Sequence, residues 1–109
     1  MRIENVPFQT TDWSKVSPIE HPGEIGIATW RTLQVGNLRV RMVDYSAGYV
    51  ADHWCERGHV VLVLEGELLT ELRDGRRFVS GPGQSYQVAD ADGAHRSQSP
   101  RGALLFIVD

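Results

Sequence analysis

Five turn signals cut the chain from Gly26 onward into segments of only a few residues each. Val-Gly-Asn at 35–37, Ser-Ala-Gly at 46–48, Asp-Gly at 74–75, Gly-Pro-Gly at 81–83 and Asp-Gly at 92–93 put turn-forming residues where the backbone must reverse. Between them lie IATWRTLQ, LRVRMVDY, HVVLVLEG, ELLTELR, RRFVSG, SYQVAD, HRSQS and ALLFIV, rich in β-branched and aromatic residues. None shows an apolar helical period long enough to compete. The spacing therefore predicts an all-β, antiparallel sandwich or barrel. Residues 1–25 contain Pro7, Pro18 and Pro22 and read as an irregular N-terminal arm, packed on or beside a single barrel formed by 26–109. A chain of 109 residues leaves no room for a second core.

Charge removes several function classes. A net charge of −3 and a pI near 5.7 give no electrostatic footprint for nucleic acid or an anionic membrane, so neither partner is expected. One cysteine excludes an intrachain disulfide, and the N-terminus lacks a basic stretch followed by an apolar one. No apolar run is long enough to span a bilayer. The expected location is the cytoplasm.

Alternation assigns faces. In LRVRMVDY, Leu38, Val40 and Met42 share one face, while Arg39, Arg41 and Val43 share the other. HVVLVLEG and LLFIV are apolar on both faces, as expected of strands covered on both sides.

The chemistry concentrates in ADHWCERGH, residues 51–59. If 51–55 is extended, His53 and Cys55 point to one face and Trp54 to the other. Glu56-Arg57-Gly58 then reverses the chain, and His59 opens the next strand beside that face. His95 follows the turn at Asp90–Gly93, and closure of a barrel would bring it to the same place. Imidazole and thiolate suit zinc, iron, nickel or copper, whereas magnesium and calcium prefer oxygen. The same residues also fit a hairpin carrying hydrogen-bonded imidazoles and a cysteine that is merely a small buried hydrophobe.

Set out with its glycines, this pattern resembles the cupin superfamily. The first cupin motif, G-x5-H-x-H-x(3,4)-E-x6-G, aligns with Gly48, His53, Cys55, His59 and Gly66, with one residue missing after Gly48. The second, G-x5-P-x-G-x2-H-x3-N, aligns with Gly83, Ala89, His95 and Ser99 across a turn one residue longer. Sixteen residues separate Gly66 from Gly83. The likeness covers roughly 26–109, and the run DHWCERGH…EGEL…DGR…SYQVAD…HRS…FIVD looks like small bacterial cupins named for a DHCW motif. It implies a jelly-roll barrel of six to eight antiparallel strands and a homodimer. It also implies a divalent transition metal (zinc, iron, nickel or manganese) held by His53, Cys55, His59 and His95. Cysteine replaces one usual histidine and histidine replaces the usual glutamate, so the three imidazoles leave a divalent site at a net charge of +2, and Cys55 bound as thiolate lowers it to +1 and favours softer ions.

Around that site, Tyr86 and Arg41 are the candidate catalytic residues: a phenol to orient a substrate or a metal-bound oxygen species, and an anion anchor. The competing readings are a rim aromatic and a surface arginine. Asp52 and Glu56 are candidate acceptors for an imidazole N–H. Trp54 and Arg96 are expected to face away from the pocket, and His21 to be solvated. The functional expectation is a metalloenzyme of dioxygenase or isomerase type acting on a small molecule in the barrel. The alternatives are a non-catalytic small-molecule binder with an optional metal or none, and a metal-free interaction protein.

Overall fold

The computed structural model describes residues 2–109. It contains two antiparallel sheets. The six-stranded sheet runs β1 (Ile19–Pro22), β2 (Ile27–Val35), β3 (Leu38–Tyr45), β10 (Ala103–Val108), β5 (His59–Gly66), β8 (Ser85–Val88). The four-stranded sheet runs β4 (Tyr49–Val50), β9 (His95–Ser99), β6 (Leu68–Leu72), β7 (Arg77–Ser80). The inner faces meet around Ala28, Val43, Val63, Leu105, Tyr49 and Leu68, all buried. This is the expected all-β jelly-roll, with one correction to its outline: the sheets are not closed into a barrel. On one side they are stitched by the Ile25–Val50 bridge, with Glu24 N and Val50 N donating at 2.8 and 2.9 Å. On the other, β7 and β8 are both free edges, joined in sequence by Gly81-Pro82-Gly83 but not laddered to each other.

All eight expected segments form strands, and two further strands appear. β1 lies inside the arm and pairs with β2 from Ile19↔Trp30 to Pro22↔Ile27. Its proline is tolerated because β1 is an edge strand. β4 is only two residues long, below what alternation can signal. The glycine that closes the first motif has a steric reason. Gly66 sits at φ +79°, and a Cβ there would lie 2.1 Å from the Gly102 carbonyl oxygen.

The rest of the arm lies along the outer face of the six-stranded sheet. A 3-10 turn at Trp13–Lys15, capped by Asp12, sets the Trp13 ring edge-on to Phe106 at 6.3 Å. Asn37, in the β2–β3 turn, accepts from Glu4 N at 2.8 Å and donates to Arg2 O at 2.7 Å. Outward-facing Met42, Leu104 and Phe106 are thereby partly covered. That explains why the apolar face of β3 is not the inner one.

The strand register builds the interior in rungs. Ala103 pairs across with Tyr45, Leu105 with Val43 and Val63, and Ile107 with Arg41 and Val61. One step further, Asp109 exchanges backbone bonds with Arg39 at 2.8 and 2.9 Å, beside His59 at the start of β5. Val43 and Tyr45 must face the core, and the two-residue period then carries Arg41 and Arg39 inward too. The inner face grades from apolar to charged within four rungs.

Candidate metal centre

Three of the four expected ligands converge. Cys55 and His95 form an isolated antiparallel bridge, exchanging N–H···O bonds of 2.7 and 2.9 Å, so their side chains leave the same side of the backbone pair. His59 reaches them from β5 across the gap between the sheets. Ligand atoms of Cys55, His59 and His95 all lie within 4.8 Å of one another. His53 stands apart from this group. The chain bends at Asp52 and His53 instead of running extended, and the ring is 70% exposed with Nδ1 held by Asp52 at 2.6 Å. It contributes to the cavity lining but not to the cluster.

Tautomers follow from the partners. His95 Nδ1 faces the Gly93 carbonyl at 3.0 Å and must carry the proton, which leaves Nε2 a bare lone pair. That Nε2 lies 2.9 Å from Nε2 of His59, which is also 3.1 Å from the Tyr86 hydroxyl. His59 Nδ1 is buried without a hydrogen-bond partner, and the nearest acceptor is Asp109 Oδ2 at 3.5 Å. Burial, reinforced by His95, lowers the His59 pKa to about 4, against partial opposition from Asp109, so the ring is neutral at pH 7.

A neutral His59 has two choices, and each leaves a conflict. With the proton on Nε2 it satisfies His95 but turns a bare Nδ1 toward a carboxylate. With the proton on Nδ1 it satisfies Asp109 but sets two lone pairs 2.9 Å apart. A divalent ion held by His59 and His95 would remove both conflicts, taking up the facing lone pairs and leaving the His59 Nδ1 proton for Asp109. The donor set therefore fits a transition metal. Cys55 would supply a third, softer ligand, while Asp109 and the Gly93 carbonyl face the two rings from behind.

Asp109, which strand-by-strand reading missed, lies directly behind this group. Its side chain is 2% exposed. It accepts from Arg39 Nε at 2.7 Å and Nη2 at 2.9 Å, and from Arg41 Nη2 at 2.9 Å. Burial alone would raise its pKa, but the two arginines outweigh that and hold it below the ordinary carboxylate range. The signal was present: Leu105, Ile107 and Asp109 alternate on one face of β10 and its continuation.

The candidate catalytic residues both face the interior. Tyr86 points at His59 and His95, with ring centroids 5.8 Å from each, and burial pushes its phenol pKa up. Arg41 is only 5% exposed, so the surface reading fails. Its guanidinium lies 4.4 Å from the Trp30 ring centroid, and its pKa is lowered, first by burial. His21 is half-buried instead, its ring tilted against Trp30 with centroids 4.0 Å apart. Trp54 does face away, between Arg73 and Arg96 at 5.3 and 5.0 Å. Arg96, expected outside, contributes to the cavity lining while pairing with Glu71 at 3.3 Å. Asp52 serves His53, and Glu56 offers only its carbonyl, to Ala91.

The cavity around the centre holds about 280 Å³. A second groove of about 580 Å³ occupies the unlaced side between β7 and β8, and Tyr86 and His95 line both. Among the described residues no helix is long and apolar enough to cross a membrane.

No family model matches the chain, and no curated protein matches it significantly. Solved structures do. The chain is similar to an RmlC-like cupin from Shewanella frigidimarina, with a TM-score of 0.71 at 21% identity over 94% of this chain and 89% of that one. Ectoine synthase from P. lautus superposes with a TM-score of 0.75 at 16% identity, covering 93% and 76%. A predicted oxalate decarboxylase from Thermotoga maritima gives 0.75 at 11% identity, covering 92% and 96%.

Proposed function

We propose that this chain, which has the cupin fold, is a divalent-metal protein that acts on a small molecule held between its two sheets. The observation that carries this reading is the pair of Nε2 atoms of His59 and His95, 2.9 Å apart, with Cys55 beside them. When bound there, a transition ion supplies a Lewis acid with open positions for a substrate. His59, His95 and Cys55 would hold it. His53, exposed and engaged by Asp52, is left out of the proposed set.

The chain's own groups do the remaining work. Asp109 and the Gly93 carbonyl orient the imidazoles. Tyr86 keeps its proton at neutral pH, because burial disfavours the phenolate, and its hydroxyl, 3.1 Å from His59 Nε2, stands beside the centre where it can donate to a molecule bound there. The interior apolar rungs keep bulk water from the deep side of the cavity. Dioxygenase-type and isomerase-type conversions both suit this arrangement, with zinc, iron, nickel or manganese as the ion. Among the structural neighbours, ectoine synthase and the oxalate decarboxylase carry enzyme names.

A second reading is a metal-free binding protein. It is favoured by the Tyr86 hydroxyl, which lies within hydrogen-bond distance of His59 Nε2 without any ion. Elemental analysis of tag-free protein, beside His59→Ala, separates the two. Near-stoichiometric metal that is lost in the variant is expected. Trace metal, unchanged by the substitution, overturns the metal reading. Dioxygen uptake and isomer exchange across a substrate panel then distinguish enzyme from binder. A cytoplasmic location and a homodimer remain proposals, the latter tested by sedimentation velocity.

A further inference from the structure

The charge around the cavity is unbalanced. Arg39, Arg41, Arg57 and Arg96 all line it. Arg96 is paired with Glu71, and Glu24 lies at 4.0 Å. Arg39 and Arg41 share the single carboxylate of Asp109. Arg57 is exposed, and among the described residues no ion pair involves it, although its charge reaches Asp109. Three guanidinium groups thus surround one carboxylate. Arg41 shows the deficit directly: it is 5% exposed, and its Nε is buried with no hydrogen-bond partner. A buried cation that is only partly paired is costly, and an anion arriving beside it relieves that cost.

We infer that the molecule taken up by this cavity is a small organic carboxylate, its charged end seated on Arg41 and Arg57 over Trp30 and its other end directed at the Cys55–His59–His95 group. Guanidinium offers the planar fork that a carboxylate matches. Arg41 and His59 approach the same atom, Asp109 Oδ2, at 2.9 and 3.5 Å, so the anion seat and the metal ligands lie one imidazole apart. That closeness sets the two ends of the molecule a few carbons apart, and the cavity of about 280 Å³ has room for it. The inference deepens the proposed function of the same site and rests on it only for the far end of the ligand.

The test is calorimetric titration of the full chain, chelator-treated and dialysed at low salt, with malonate and with neutral malonamide as control. Malonate is expected to bind at least tenfold tighter than malonamide. Arg57→Gln, an exposed change, should weaken malonate about fivefold. Arg41→Lys, which keeps the charge and loses the fork, should weaken it more while the circular dichroism stays that of the parent. Equal affinity for malonate and malonamide overturns the inference, as does malonate binding untouched by both substitutions. Tighter binding of inorganic phosphate than of malonate overturns the carboxylate assignment. Because no metal is present in the titration, failure of the metal reading leaves this result standing, and the reverse holds too.

Discussion

The two ends of the interior are built from the same three strands and obey opposite rules. At the deep end, Leu105, Val43 and Val63 meet Tyr49 and Leu68 and exclude water, so stability there depends on packing. At the mouth, Asp109, Arg39, Arg41 and His59 are also buried or half-buried, yet they are held by ion pairs, hydrogen bonds and contacts of the two arginines with Trp30. Ile107 and Val61 form the boundary rung between them. The difference teaches that burial alone does not identify the core: one end is buried to hold the fold, the other to position chemistry.

Substitutions at each end should separate those roles. Asp109→Ala leaves two arginines facing each other and is expected to cost about 3–5 kcal/mol, with loss of metal affinity as well. Leu105→Ala should cost about 2–5 kcal/mol by opening a cavity, with metal affinity per folded molecule unchanged. Urea denaturation with metal titration measures both. Equal loss of metal affinity in the two variants would erase the distinction between the ends.

Acid should act on the mouth through His59 and Asp109. His59 has a folded pKa of about 4 against an ordinary value of 6.5, so between those pH values the unfolded chain takes up a proton that the folded chain refuses. Metal-free protein should therefore lose up to a few kcal/mol as pH falls from 6.5 to 4, and none from this group below that. Asp109, held below the carboxylate range, adds a further loss at lower pH. Denaturation midpoints from pH 7.5 to 4.5 check this, and the upper part of the slope should flatten in His59→Gln.

The smallest effect is expected for Tyr86→Phe, which deletes one hydroxyl donor at about 0.5–1.5 kcal/mol. Bound metal should persist while turnover or ligand affinity falls. If metal is lost instead, Tyr86 belongs among the groups that hold the ion.

Much of this is legible in the sequence. Eight strand segments, their turns and the cupin likeness follow from turn chemistry and two-residue alternation, and these are local properties. Cys55, His59 and His95 were picked out by spacing. What failed were inferences that needed knowledge of what covers each face. Arg41 reads as a surface arginine, but the N-terminal arm shields the face of β3 that carries Met42, and the arginines turn inward. His53 was misplaced because a bend at 52–53 breaks the alternation that paired it with Cys55. His21 reads as solvated because β1, and hence its contact with Trp30, depends on a partner strand rather than on its own sequence.

The unlaced side gives the molecule a mechanical asymmetry. Ile25 and Val50 act as a spine, while β7 and β8 are free like the fore-edges of a book. Parting those edges breaks no backbone ladder. Tyr86 and His95, lining both the inner cavity and the groove along that opening, are a party wall between two rooms. The width of the doorway is set by side chains, so its bore can be retuned by substitution without redrawing the sheets.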